Sequence, residues 1–162
     1  MTAETELLGI YLNDHLAGAT GGVDLARRAA RAHRGRPEGP VLRRLADEIA
    51  EDREELLEIM GALHVPVRRA RVAAGWAMEK VGRLKLNGRL LERSPLSDLV
   101  ELEAIRLGVE GKAAGWAALR IRAANDPRLD VQLLDRLLSR ARSQADTLEE
   151  LRLAAAGRVL AA

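Results

Sequence analysis

The chain has 162 residues, with 26 Lys and Arg against 24 Asp and Glu, a formal net charge of +2 and 48% hydrophobic residues, yet no Phe, one Tyr and two Trp. A domain of this length buries roughly two thirds of the surface its unfolded chain exposes, so a real core is expected, and it must be aliphatic. There is no cysteine, which excludes disulfides, thiolate catalysis and Cys-ligated zinc or iron-sulfur centres.

Ala, Leu and Arg dominate, a composition that favours helix throughout. The opening stretch MTAETELLGIYLNDH carries acids and no basic region ahead of its apolar positions, so it does not read as a secretory signal. No uncharged run approaches the ~18 residues of a membrane span. A soluble, cytoplasmic, single-domain protein over residues 1–162 is expected, with no transmembrane segment.

Proline and glycine punctuate the chain, and between them apolar residues recur at spacings of three and four. The first helix is expected from about Glu4 to about His33, closed by GRPEGP at 35–40. The second begins at Pro40 or Val41, proline being tolerated in a first turn, and ends near Leu63 ahead of an HVP turn. A third, shorter helix is expected from about Val67 to Leu86, stopped by Asn87-Gly88. The fourth opens on Ser94-Pro95, a cap followed by proline, and runs to about Ala124, where Asn125-Asp126-Pro127 breaks it. The last covers about Leu129 to Ala156, and no strand-like alternation occurs anywhere.

Four of these helices are long, roughly 35 to 45 Å each. Matched long helices with apolar stripes predict an all-α four-helix bundle of two antiparallel hairpins, with a long crossover (about 64–94) carrying the fifth helix. Charge is distributed unevenly along it. Residues 47–58 hold seven acids and one Arg, whereas 67–93 hold Arg68, Arg69, Arg71, Lys80, Arg83, Lys85, Arg89 and Arg93 against only two acids. The two segments are electrostatic complements. The pentapeptide AAGWA occurs at 73–77 and again at 113–117 and holds both tryptophans, Trp76 and Trp116. It reads as a packing device, small residues letting a facing helix approach an indole.

Writing out each buried seam at alternating spacings of three and four isolates the polar exceptions. The second helix gives Leu42, Leu45, Ile49, Asp52, Leu56, Ile59 and Leu63. The fourth gives Leu102, Ile105, Val109, Lys112, Trp116 and Leu119; the fifth gives Leu134, Leu137, Ala141, Gln144, Leu148, Leu151 and Ala155. The first helix admits two registers: one through Leu12, Leu16, Ala19, Val23, Ala26 and Ala30, the other turning His15 inward, and Gly18, Gly21 and Gly22 suggest close backbone contact. A buried charge is costly unless paired. Asp52, Lys112 and Gln144 are therefore expected to meet in one buried polar layer.

The hairpin beginning ELLGIYLNDHLAGA, the acidic helix LADEIAEDREELLEIM, a long crossover, and a second hairpin with VELEAIRLGVEGKAAGWAALR and LLSRARSQADTLEELRLAAA together resemble the ferritin-like superfamily, in particular its small bacterial stress-associated members. The resemblance implies a di-iron site of Glu and Glu-x-x-His ligands from four helices. Against that pattern stand Ala19, Lys112 and Gln144, and the second helix offers Glu48, Glu51, Asp52 and Glu55 with no matching His. The expectation is a ferritin-like bundle without cofactor, its metal replaced by an internal ion pair, acting non-catalytically as a homo-oligomer or on a protein partner. The alternatives are iron or another divalent metal on Glu48, Glu51, Asp52 and Glu55, as in an iron-handling oxidoreductase, and binding of nucleic acid or an anionic membrane surface by the basic segment. No dinucleotide, phosphate-loop, zinc-protease or serine-hydrolase motif is present.

Overall fold

A computed structural model of the protein describes residues 3–68 and 95–161. Its regular elements are four helices: α1 (Ala3–Ala32), α2 (Gly39–Ala62), α3 (Pro95–Arg122) and α4 (Val131–Leu160). There is no strand among the described residues. Val67 and Arg68 carry no regular structure, and the remainder of the expected crossover helix, with its Asn87-Gly88 stop and the Ser94 cap, lies outside the described residues. So do the first AAGWA copy and the basic residues Arg69, Arg71, Lys80, Arg83, Lys85, Arg89 and Arg93.

Local chemistry explains where each helix stops. After α1 the chain reverses through Gly35 at φ +87°, a left-handed conformation natural to glycine. The turn is so tight that a Cβ on Gly39 would stand 2.5 Å from the His33 carbonyl oxygen. α2 closes differently, on His64 at φ +57°. The His64 N–H donates to the Gly61 carbonyl at 3.0 Å and the Val65 N–H to the Met60 carbonyl at 2.8 Å, the paired bonds that satisfy the last carbonyls of a helix. α4 starts at Val131, two residues after the expected Leu129, because Asp130 caps it: the carboxylate accepts from the N–H groups of Gln132 at 2.8 Å and Leu133 at 3.2 Å.

Packing follows chain order, with α1 against α2 and α3 against α4, and α1 also touches α3. The directions can be read from specific pairs. Arg28 meets Glu101 at 3.1 Å and His33 Nε2 lies 3.4 Å from Asp98, while His15 lies over Gly115, so α1 and α3 run antiparallel. Arg128, just before α4, reaches the Leu63 carbonyl, and Arg158 near its end reaches Glu38, so α2 and α4 are antiparallel too. The core is one aliphatic cluster to which every helix contributes. Leu12, Met60, Leu134 and Leu148 are at most 1% exposed.

The seams of α2 and α4 enter this core, Leu151 alone being half-buried. In α1 the register through Leu12, Leu16, Val23 and Ala26 is the buried one, with His15 half-buried at its edge. Gly18 and Gly22 do not support close backbone contact: a Cβ at either would have nothing within 4 Å. The tight approach of α1 and α3 falls at Gly115 instead, where a Cβ would stand 3.0 to 3.3 Å from the His15 ring. No helix among the described residues is long and apolar enough to cross a membrane.

Candidate functional site

Asp52, Lys112 and Gln144 come together midway along the bundle. Asp52 on α2 and Gln144 on α4 are each 1% exposed, and the Lys112 side chain on α3 is 14% exposed. Lys112 Nζ donates to Asp52 Oδ2 in a short ion pair and to Gln144 Oε1 at 2.6 Å. Gln144 Nε2 in turn donates to Asp52 Oδ2 at 3.2 Å and to Glu48 Oε2 at 3.1 Å. Every bond in the layer has a donor facing an acceptor.

A second cation completes it. Arg140 Nε donates to Asp52 Oδ1 at 2.7 Å, and Nη1 reaches Glu51 Oε2 at 3.2 Å. Burial pulls the Lys112 ammonium below the ordinary lysine range, and the Asp52 carboxylate beside it pushes the other way. Arg140 sits one position outside the α4 seam and is 30% exposed. Its backbone faces outward while its long side chain reaches in, so helical spacing alone does not mark it.

Asn13 was also missed. It is fully buried and clamps the strand of chain leaving α2: its Nδ2 donates to the Gly9 and Pro66 carbonyls at 2.8 and 3.1 Å, and its Oδ1 accepts from the Arg68 N–H at 2.7 Å. An Asn inside an otherwise apolar helical face was the available signal, since such residues favour bonds to backbone.

Beside the polar layer lies a cavity of about 690 Å³, formed by α1, α2 and α3 and open to one side. Its walls are largely apolar, with Leu25, Ile49, Leu56, Ile105 and Trp116 among them, and Asp52 and Lys112 reach it from the buried layer. His15 lines it too, stacked edge-on against Tyr11 with ring centroids 4.5 Å apart. Burial lowers the pKa of His15, Asp14 opposing.

A di-iron centre needs carboxylates projecting inward from all four helices. At the middle of this bundle α1 presents Ala19, α3 presents Lys112 and α4 presents Gln144. Glu48 is bonded to Gln144 and Glu51 to Arg140, Glu51 being 65% exposed, while Glu55 takes no part in the layer. Among the described residues no three His, Asp or Glu side chains converge as metal ligands. The residues present do not fit a di-iron centre. No protein-family model matches the chain, and no curated protein or solved structure matches it either.

Proposed function

We propose that the protein is a non-catalytic, ferritin-like helical bundle in which an internal ion pair stands where a metal centre would, and that it acts through protein contact, chiefly with further copies of itself. The observation that carries this reading is the Lys112 ammonium held between Asp52 and Gln144. A fixed cation neutralises the buried carboxylate as a metal would, without offering an open coordination position or an electron. Two antiparallel hairpins joined by the long 63–94 connection support the ferritin-like order.

The contact surface is argued from charge. Asp47, Glu51, Glu54 and Glu58 stand exposed at spacings of four, three and four along α2, an acidic stripe on one helix face. The basic stretch 67–93 is its complement. Opposite charges that attract between copies across solvent are screened by salt. Light scattering across a salt series tests this: a mass above the 17.7 kDa of one chain at low ionic strength, falling as salt rises, is expected. A mass independent of salt contradicts it. Stoichiometric iron retained after exposure to ferrous ion would overturn the ion-pair reading in favour of an iron-handling protein.

A further inference from the structure

The cavity between α1 and α3 has the size of a small-molecule site, within the ~300–1,000 Å³ typical of one. Its shape is made by missing side chains. Gly18, Gly22, Gly108 and Gly111 all line it, and a Cβ at any of them would meet nothing within 4 Å. Glycine costs about 0.5–1 kcal/mol in a helix relative to Ala, and none of these four is required by backbone conformation or by a neighbour among the described residues.

The polar groups on the walls are unequally spent. Lys112 has three N–H donors; Asp52 and Gln144 take two, and the third has no acceptor among the described residues. Arg53, also on the wall, gives Nε to Thr20 at 3.2 Å and Nη1 to Glu54, and Nη2 has no acceptor among the described residues. The buried carboxylate, Asp52, is by contrast already saturated by Lys112, Arg140 and Gln144, and Asp14 stands at the exposed rim. An apolar trough with cationic donors to spare is complementary to an amphipathic anion.

We infer that this cavity binds a medium-chain monocarboxylate, its head on Lys112 and Arg53 and its tail along the glycine-lined trough. Length decides the class. Ala104 and Leu119 mark the ends of the lining on α3, and Lys112 stands between them, so a head there has roughly 11 Å of trough to either side at 1.5 Å per residue. That suits a medium chain and is too short for a long one. The inference is independent of self-association and of the absence of iron binding, and it survives or fails separately from them.

Calorimetric titration of the full chain with decanoate, decanol and decylamine, each below its micelle concentration, tests it. Saturable binding is expected in the order decanoate, then decanol, with decylamine weakest. Arg53→Gln, which leaves the buried layer intact, should weaken decanoate by about tenfold and leave decanol unchanged; Lys112→Met should do the same where it folds. Gly22→Leu and Gly108→Leu place side chains into open space, so they should keep or raise the unfolding midpoint while abolishing decanoate binding. Decylamine binding as tightly as decanoate, no binding of decanoate, or undiminished binding by the folded Gly108→Leu variant overturns the assignment.

Discussion

Lys112 and Asp52 meet on opposite sides of the bundle's middle, and the cost of removing one of them differs from the cost of removing both. Deleting a single partner of a buried pair strands the other charge; replacing both by apolar groups of similar volume strands neither charge. The surrounding bonds from Gln144 and Arg140 fix the geometry further. These residues were visible in the sequence because they interrupt seams that are otherwise apolar, and a period of 3.6 leaves such an interruption no outward direction to take. Arg140 was not visible, since its reach depends on a flexible side chain and not on helical phase. A different residue-scale detail concerns Gly115. Its second role in AAGWA, beside the buried Trp116, is to admit the His15 ring, which a Cβ here would approach to 3.0 Å. Gly115→Ala should therefore destabilise by about 1–3 kcal/mol, despite Ala being the better helix former. In a background of His15→Ala the same change should become neutral or stabilising; urea denaturation of the four proteins checks both.

At the scale of the element, helix existence followed from periodicity and breakers, whereas helix ends followed from caps that the sequence states less plainly. Asp130 falls inside the last helix expected from about Leu129, yet its carboxylate caps that helix and α4 begins at Val131. The far end of α4 runs to Leu160, beyond the expected Ala156, because no breaker stops it and Gly157 is tolerated in open space. His64 closes α2 in a left-handed conformation that costs a residue with a Cβ about 1–2 kcal/mol. His64→Gly should accordingly raise stability by about 0.5–1 kcal/mol, the gain reduced by the greater freedom of glycine in the unfolded chain; thermal or urea unfolding measures it.

The α3–α4 turn is held by Asp126, buried and accepting from Arg122 Nε at 3.1 Å and from Arg128 Nε and Nη2 at 2.8 and 2.7 Å. The Arg128 hydrogen bonds above all hold its carboxyl far below the ordinary aspartate range. A depressed folded-state pKa contributes stability that is complete above the unfolded value near 3.9 and is lost as pH falls below it. Asp126→Asn should thus be less stable than the parent at neutral pH, with the gap closing as the pH is taken below about 4. A gap that stays constant from neutral to acid pH contradicts this.

At the scale of the whole molecule, α2 and α4 meet through side chains: Asp52 with Arg140, Glu48 with Gln144, Glu38 with Arg158. The two hairpins are joined across that side by polar groups; on the other side α1 and α3 touch and, with α2, enclose the cavity. The sequence predicted the hairpins because short, breaker-rich links force neighbours to be antiparallel. It did not predict the cavity, because a glycine in a helix reads equally as close contact or as empty space, and only the position of the facing helix decides which.

A thermodynamic cycle on the central pair tests the account most directly, by urea unfolding of the parent, Asp52→Leu, Lys112→Leu and the double variant. Each single change should cost about 3–5 kcal/mol, and the double variant, which still deprives Gln144 and Arg140 of partners, should cost clearly less than the sum of the two, giving a coupling of several kcal/mol. Two small costs that simply add would mean that the lysine and the aspartate do not hold one another in the middle of the bundle.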